Sequence, residues 1–206
     1  MVHDGSAPPN PPPFIGLTGA IASGKSEALS AFARLGAATL STDELAHELL
    51  DDPEVHTRLA ERWGECVVDG HVNRDRVGEI VFGSPEELSW LESVLHPLVG
   101  LRVAEWRAQL PPDTSLAVVE VPLLFETGLE AAFDATVCVI AADATRARRA
   151  GERGTELLEG RSDRQLSQEE KAARATHVIS NDGSLEELER QVELLIPALT
   201  RTRGEA

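Results

Sequence analysis

Gly19-Ala20-Ile21-Ala22-Ser23-Gly24-Lys25-Ser26 fits the pattern G-x-x-x-x-G-K-[ST], a loop whose backbone amides cradle phosphate groups. The apolar run Phe14 to Thr18 before it reads as a buried strand, and Glu27 to Leu35 after it reads as a helix that Gly36 ends. Strand, glycine loop and helix are the setting this motif requires. Gly19 and Gly24 allow the backbone turns that point successive N–H groups at phosphate oxygens. The positive end of the following helix adds to that attraction. In such loops the lysine, here Lys25, bridges the terminal phosphates, and the hydroxyl, here Ser26, holds Mg²⁺. Lys25 and Lys171 are the two lysines of the whole sequence, so Lys25 is not drawn from a lysine-rich background.

Working outward, Ala37 to Ser41 reads as a second short strand, with Thr42 and Asp43 at its carboxyl end. Ligands of open parallel sheets gather at those ends. Thr42 or Asp43 equally suits the cap of a helix over 44–50. From 51 to 112 the pattern is helical: Val55 to Trp63, a Gly-containing hairpin-like stretch from Gly64 to Asn73, then Arg74 to Phe82. A longer helix starts near Pro85 and is expected to kink or break at His96-Pro97, where proline removes an N–H. His96 at that break is a candidate for facing a ligand.

Leu116 to Val121 is a continuous apolar strand carrying one acid, Glu120, and Pro122-Leu123-Leu124-Phe125-Glu126 follows. A buried carboxylate needs a polar role, and one at a strand end beside a phosphate loop suits Mg²⁺. Ala135 to Ala141 is the next strand. Asp143 opens a helix that sets Arg149 and Arg153 on one face, four residues apart. The polar stretch 154–168 has the composition of a mobile lid, while Arg146 and Arg148 read as solvated. His177 to Ser180 is a last strand, and Leu185 to Leu195 an amphipathic helix with Leu185, Leu188, Val192 and Leu195 on one stripe.

The net charge of -16 over 206 residues argues against nucleic acid as partner, since no basic stripe offsets it. No run of eighteen apolar residues spans a membrane, and Met1 to Pro13 does not read as a secretory signal. The two cysteines, Cys66 and Cys138, have no metal-ligand spacing and fit a reducing cytoplasm.

Taken together these motifs resemble the dephospho-coenzyme A kinase family, in order and spacing. They are Gly19 to Ser26, Thr42-Asp43, His96-Pro97, Pro122 to Glu126, Arg149 and Arg153, Arg161 with Gln165, and Ile179 to Asn181. The resemblance runs from about Phe14 to Leu199. It implies an α/β, three-layer P-loop kinase fold with a parallel sheet, a helical substrate-binding insertion and a lid. The parts expected are a Pro-rich tail over 1–13 and a nucleotide core over 14–50, 114–145 and 176–203. A helical acceptor-binding insertion over about 51–113 and a lid over about 146–175 complete them. It implies ATP and dephospho-coenzyme A as substrates, Mg²⁺ as cofactor, and a monomer or weak homo-oligomer.

Carried over by position, Lys25, Asp43 as general base and Arg149 as charge stabiliser are catalytic. ATP falls to Gly19, Ala20, Ile21, Ala22, Ser23, Gly24, Lys25, Ser26, Glu27 and Arg153, with Asn181 near the adenine. The acceptor falls to Asp43, His96, Pro122, Leu123, Leu124, Glu126 and Arg161, and the metal to Ser26 and Glu120. The family usually has glycine where Ala20 and Ala22 stand, Ser or Thr at Glu27, Asp at Ser41, and Asp at Glu120. Both alanines are therefore expected at ordinary backbone angles with φ < 0. Glu27 is expected to point away from the phosphates or to contact the metal shell. The rival readings are a nucleoside or nucleoside-monophosphate kinase, which shares these parts, and a slow nucleotide-hydrolysing switch. An arginine-bearing lid and the lack of an Asn-Lys-x-Asp signature count against the switch.

Overall fold

The computed structural model describes residues 11–68, 71–152 and 165–201. These divide into two units, one made of the residues up to Leu40 and from Leu110 onward, the other of Ser41–Gln109.

The first unit is built on β1 (Phe14–Gly19), whose six residues are all buried. It is followed by α1 (Lys25–Arg34) and β2 (Ala38–Ser41), and Gly36 makes the expected left-handed turn between them, φ +89°. The second unit then carries α2 (Thr42–Leu49), α3 (Pro53–Arg62), the two-residue strands β3 (Val67–Val68) and β4 (His71–Val72), α4 (Arg74–Gly83) and α5 (Pro85–Ala108). The chain returns through β5 (Ala117–Glu120), β6 (Ala135–Ile140), α6 (Asp143–Glu152), α7 (Gln168–Arg174), β7 (His177–Ser180) and α8 (Leu185–Arg201).

The five-stranded sheet has the order β2-β5-β1-β6-β7. β1 pairs in parallel with β5 (Leu17 opposite Glu120) and with β6 (Thr18 opposite Cys138), and β6 pairs in parallel with β7. β1 is thus central, and the chain passes from β5 on one side of it to β6 on the other. Such a switch point is where open α/β sheets hold ligands, and the loop of residues 19–26 leaves β1 there.

Alternation along β1 separates the layers. Ile15 and Leu17 join the apolar cluster that includes Ala28, Ala31 and Phe32 of α1 and Leu188, Val192 and Leu199 of α8. Gly16 faces the opposite side, where a Cβ would meet Leu124 and Phe133 side-chain carbons at 3.0 Å. Phe14 stacks on Phe133 at 4.7 Å. The result is the three-layer α/β architecture with a mostly parallel sheet.

The second unit has its own core. Leu49, Leu50, Val55, Leu59, Trp63, Val77, Val81, Leu91, Val94 and Leu95 are buried together. Within the stretch 64–73, read as hairpin-like, Gly64–Cys66 is a short 3-10 turn and β3 and β4 pair antiparallel, with Val67 opposite Val72. α5, however, runs unbroken for 24 residues through Pro97, correcting the expected break. Buried Leu91, Val94 and Leu95 before the proline, and half-buried Leu98 and Val99 after it, keep both halves on one core. That burial outweighs one missing hydrogen bond. α8 likewise continues past Pro197 to Arg201, held by fully buried Leu199.

Candidate active site

The loop is shaped to receive an anion. Gly24 is the N-cap of α1 at φ +92°, with no side chain capping the first-turn amides, so those N–H groups face outward for an anionic ligand. A Cβ on Gly24 would lie 1.9 Å from Asn181 Nδ2, so no other residue fits there. Lys25 is half-buried and its Nζ donates to the loop's own Ala20 carbonyl at 3.1 Å. Ser26 is exposed in the first turn. Glu27 keeps its carboxylate on the loop side, with Oε2 3.4 Å from where a Gly24 Cβ would sit.

One expectation about the loop fails. Ala22 has φ +58°, the one positive-φ residue other than glycine among the described residues. The loop's path demands a left-handed residue at this place whatever its side chain, so Ala22 bears a cost that glycine would not. Ala20 is not among the positive-φ residues.

Two side chains converge on the carbonyl between Ser23 and Gly24. Asn181 Nδ2 donates to Ser23 O at 2.9 Å, and Arg149 Nη1 reaches the same oxygen at 3.5 Å. Asn181 is 2% exposed, and its backbone N–H donates to Ile140 O at 2.8 Å. Asp182, next in the chain, accepts from Ala142 N at 2.6 Å and from the Ser180 hydroxyl at 3.1 Å. The Ala142 amide above all, with Ser180, Thr145 and the charge of Arg149, holds its carboxyl below the usual aspartate range. Arg146 pairs with Asp143 instead.

On the other flank, Glu120 ends β5 and is 4% exposed. Pro122 and Leu123 are half-buried, but Leu124 is fully buried against the sheet. Leu124 packs over β1, where a Cβ on Gly16 would meet its Cδ2 at 3.0 Å. Glu126 is in a buried ion pair: its Oε1 accepts from Lys171 Nζ at 3.0 Å and from Leu166 N at 2.9 Å. Lys171, fully buried, also donates to Pro122 O at 2.7 Å, and Thr18 Oγ1 donates to that oxygen at 3.2 Å. Lys171 was not among the expected site residues, although its rarity in the sequence was a usable signal. Burial pushes the nearby Cys138 thiol up to about 11, so it stays protonated.

In the second unit, Asp43 is exposed at the second position of α2. The cap of that helix is neither Thr42 nor Asp43 but Ser41, whose Oγ accepts from Glu44 N at 3.5 Å. The Asp43 carboxylate is therefore not used as a cap, while its carbonyl contacts His47 Nδ1 at 2.8 Å. His96 is exposed on α5. Arg153 and Arg161 lie outside the described residues, as does the middle of the expected lid, 153–164.

The donors fit magnesium. Mg²⁺ favours hard oxygens and is held by one or two protein groups together with phosphates and waters. The Ser26 hydroxyl and the Glu120 carboxylate supply such donors at the ends of adjacent elements of one unit. Among the described residues no group of three or more His, Cys, Asp or Glu side chains forms a protein cage.

Comparison with known proteins gives one consistent result. The family model described as dephospho-CoA kinase matches residues 13–187. A dephospho-CoA kinase of Thermus thermophilus is 37% identical over 192 residues, 92% of this chain and 93% of that protein. One from Leifsonia xyli is 40% identical over 192 residues, 88% of this chain and 96% of its own length. A crystal structure from Thermus thermophilus superposes with a TM-score of 0.77 at 37% identity, covering 91% of this chain and 98% of the other. Shikimate kinase from Bacteroides thetaiotaomicron, at 18% identity and a TM-score of 0.51, shares the fold over 91% of this chain and 98% of its own.

Proposed function

The chain belongs to the dephospho-CoA kinase family, and from that premise we propose how its residues carry a phosphoryl group from ATP to the 3′-hydroxyl of dephospho-CoA. The product is CoA. The match over residues 13–187, with the phosphate loop inside it, carries this reading.

The loop amides and Lys25 take the β- and γ-phosphates of ATP, for which Lys25 exchanges its contact with Ala20 O. Ser26 and Glu120 would hold a magnesium ion, which would supply charge neutralisation at those phosphates. The 3′-oxygen of the acceptor forms a bond to the γ-phosphorus as the bond to the β,γ-bridging oxygen breaks, and ADP leaves. Asp43 takes the hydroxyl proton, which an exposed carboxylate not engaged as a helix cap is able to do. Arg149, held loosely at 3.5 Å from Ser23 O, moves to the transferring group, whose charge is spread over three oxygens. His96, Pro122, Leu123, Glu126 and Arg161 form the acceptor side, and Arg153 serves the nucleotide.

The test is ATP consumption with and without dephospho-CoA, with product identified as the 3′-phosphate. Turnover that depends on dephospho-CoA and is not replaced by nucleosides or nucleoside monophosphates is expected. Equal hydrolysis without acceptor would return the chain to the switch reading.

A further inference from the structure

We propose that Asn181 is a positioning residue of the phosphate loop, acting through the Ser23 carbonyl on the loop's affinity for any polyphosphate and not on recognition of the base. The proposal rests on the assignment of residues 19–26 as the ATP phosphate site.

Four observations carry it. The Asn181 side chain is spent inside the protein: it is 2% exposed, and its amide nitrogen donates to Ser23 O at 2.9 Å across 158 residues of sequence. Its main chain is fixed as well, by the 2.8 Å bond from its N–H to Ile140 O at the end of β6. The peptide it grips joins Ser23 to Gly24, which lies at φ +92°, and the residue before Ser23, Ala22, is strained at φ +58°. A peptide that leads into a left-handed glycine has ready alternative orientations, and a buried carbonyl left without a donor is costly. The amide of Asn181 therefore selects one orientation of the peptide whose neighbours point N–H groups at phosphate. Finally, Arg149 shares the same oxygen at 3.5 Å, a marginal contact. With Asn181 satisfying Ser23 O, Arg149 can leave for the phosphates without orphaning that carbonyl.

The experiment measures binding of Mg²⁺-tripolyphosphate, ATP and GTP to the full chain by calorimetry, for wild type, Asn181→Asp and Asn181→Ala. Asn181→Asp keeps size and burial but sets a carboxylate against a carbonyl. Both variants should bind tripolyphosphate and ATP more weakly by the same factor, about tenfold, with the ATP-to-GTP preference and dephospho-CoA affinity unchanged. A role confined to general stability would weaken dephospho-CoA binding equally, which would overturn the proposal. Tripolyphosphate binding at wild-type strength, with ATP weakened or base preference lost, would overturn it in favour of direct base contact. Should Asn181→Ala fail to fold, the isosteric Asn181→Asp decides alone. Wild-type chain that binds neither tripolyphosphate nor ATP would instead remove the phosphate-loop assignment, and the proposal with it.

Discussion

Replacing Ala22 by glycine isolates the one strained residue of the phosphate loop. An L-residue in the left-handed region costs about 1–2 kcal/mol, which glycine avoids. Against that gain, glycine loosens the unfolded chain by about 0.4–1 kcal/mol. The Ala22 methyl is half-buried, so losing it costs roughly half of the 0.8 kcal/mol of a buried carbon. The balance for Ala22→Gly is close to neutral or slightly stabilising, on the order of half a kcal/mol. Ala20→Gly is the control. Ala20 is 5% exposed and outside the positive-φ set, so it recovers no strain and loses both other terms, about 1–2 kcal/mol. In a chain of this size each kcal/mol moves Tm by about 2–4 °C, so the two variants should melt about 3–8 °C apart, Ala22→Gly higher. Thermal and urea denaturation measure this directly. Transfer should be retained in Ala22→Gly, whose loop keeps the same path. Ala22→Gly melting at or below Ala20→Gly would refute the strain at residue 22.

Asp43→Asn should slow transfer by about 10²-fold, the lower part of the general-base range, because a loose transition state puts little charge on the nucleophile. Stability should change by no more than about 0.3–1 kcal/mol, the worth of an acid in a first helical turn, since Ser41 is the cap; unchanged single-turnover rates would remove Asp43 from the chemistry. Arg149→Ala should lower kcat more than it raises the KM for ATP, and Arg149→Lys should rescue only part, because a point charge cannot reproduce a planar fork. Equal losses in rate and ATP affinity would reassign it to ground-state binding. Asp182 has a folded-state pKa depressed chiefly by the Ala142 amide, so its contribution is present above the ordinary aspartate pKa and lost as pH falls through the folded value. Asp182→Asn should therefore narrow its stability gap to wild type in acid; a gap that stays constant from neutral pH to pH 3 would contradict this.

Local sequence was enough for the loop because its chemistry is local: glycine placement, one lysine and one hydroxyl lie within eight consecutive residues, between a buried strand and an amphipathic helix. The same locality misled at Ala22. Side-chain identity suggested ordinary angles there, while the loop's closure onto α1 imposes φ +58°. It misled again at Pro97, where a missing N–H predicts a break and a shared core on both sides keeps the helix whole.

The sequence by itself determined the α/β class, the phosphate loop and the family, since each is written in short spacings that strand and helix periods convert into faces. Only the tertiary structure decided what those residues lean on. Asn181 reaches Ser23 across 158 residues and Arg149 reaches it across 126, while Lys171 meets the Pro122 carbonyl across 49. No local pattern encodes such separations. They follow from the order β5-β1-β6-β7, which brings the carboxyl ends of strands far apart in sequence to the two flanks of one loop. Burial then makes the Asn181 and Lys171 contacts obligatory, because a carbonyl or an ammonium enclosed there must find a partner inside the protein, while half-buried Arg149 keeps the freedom to leave.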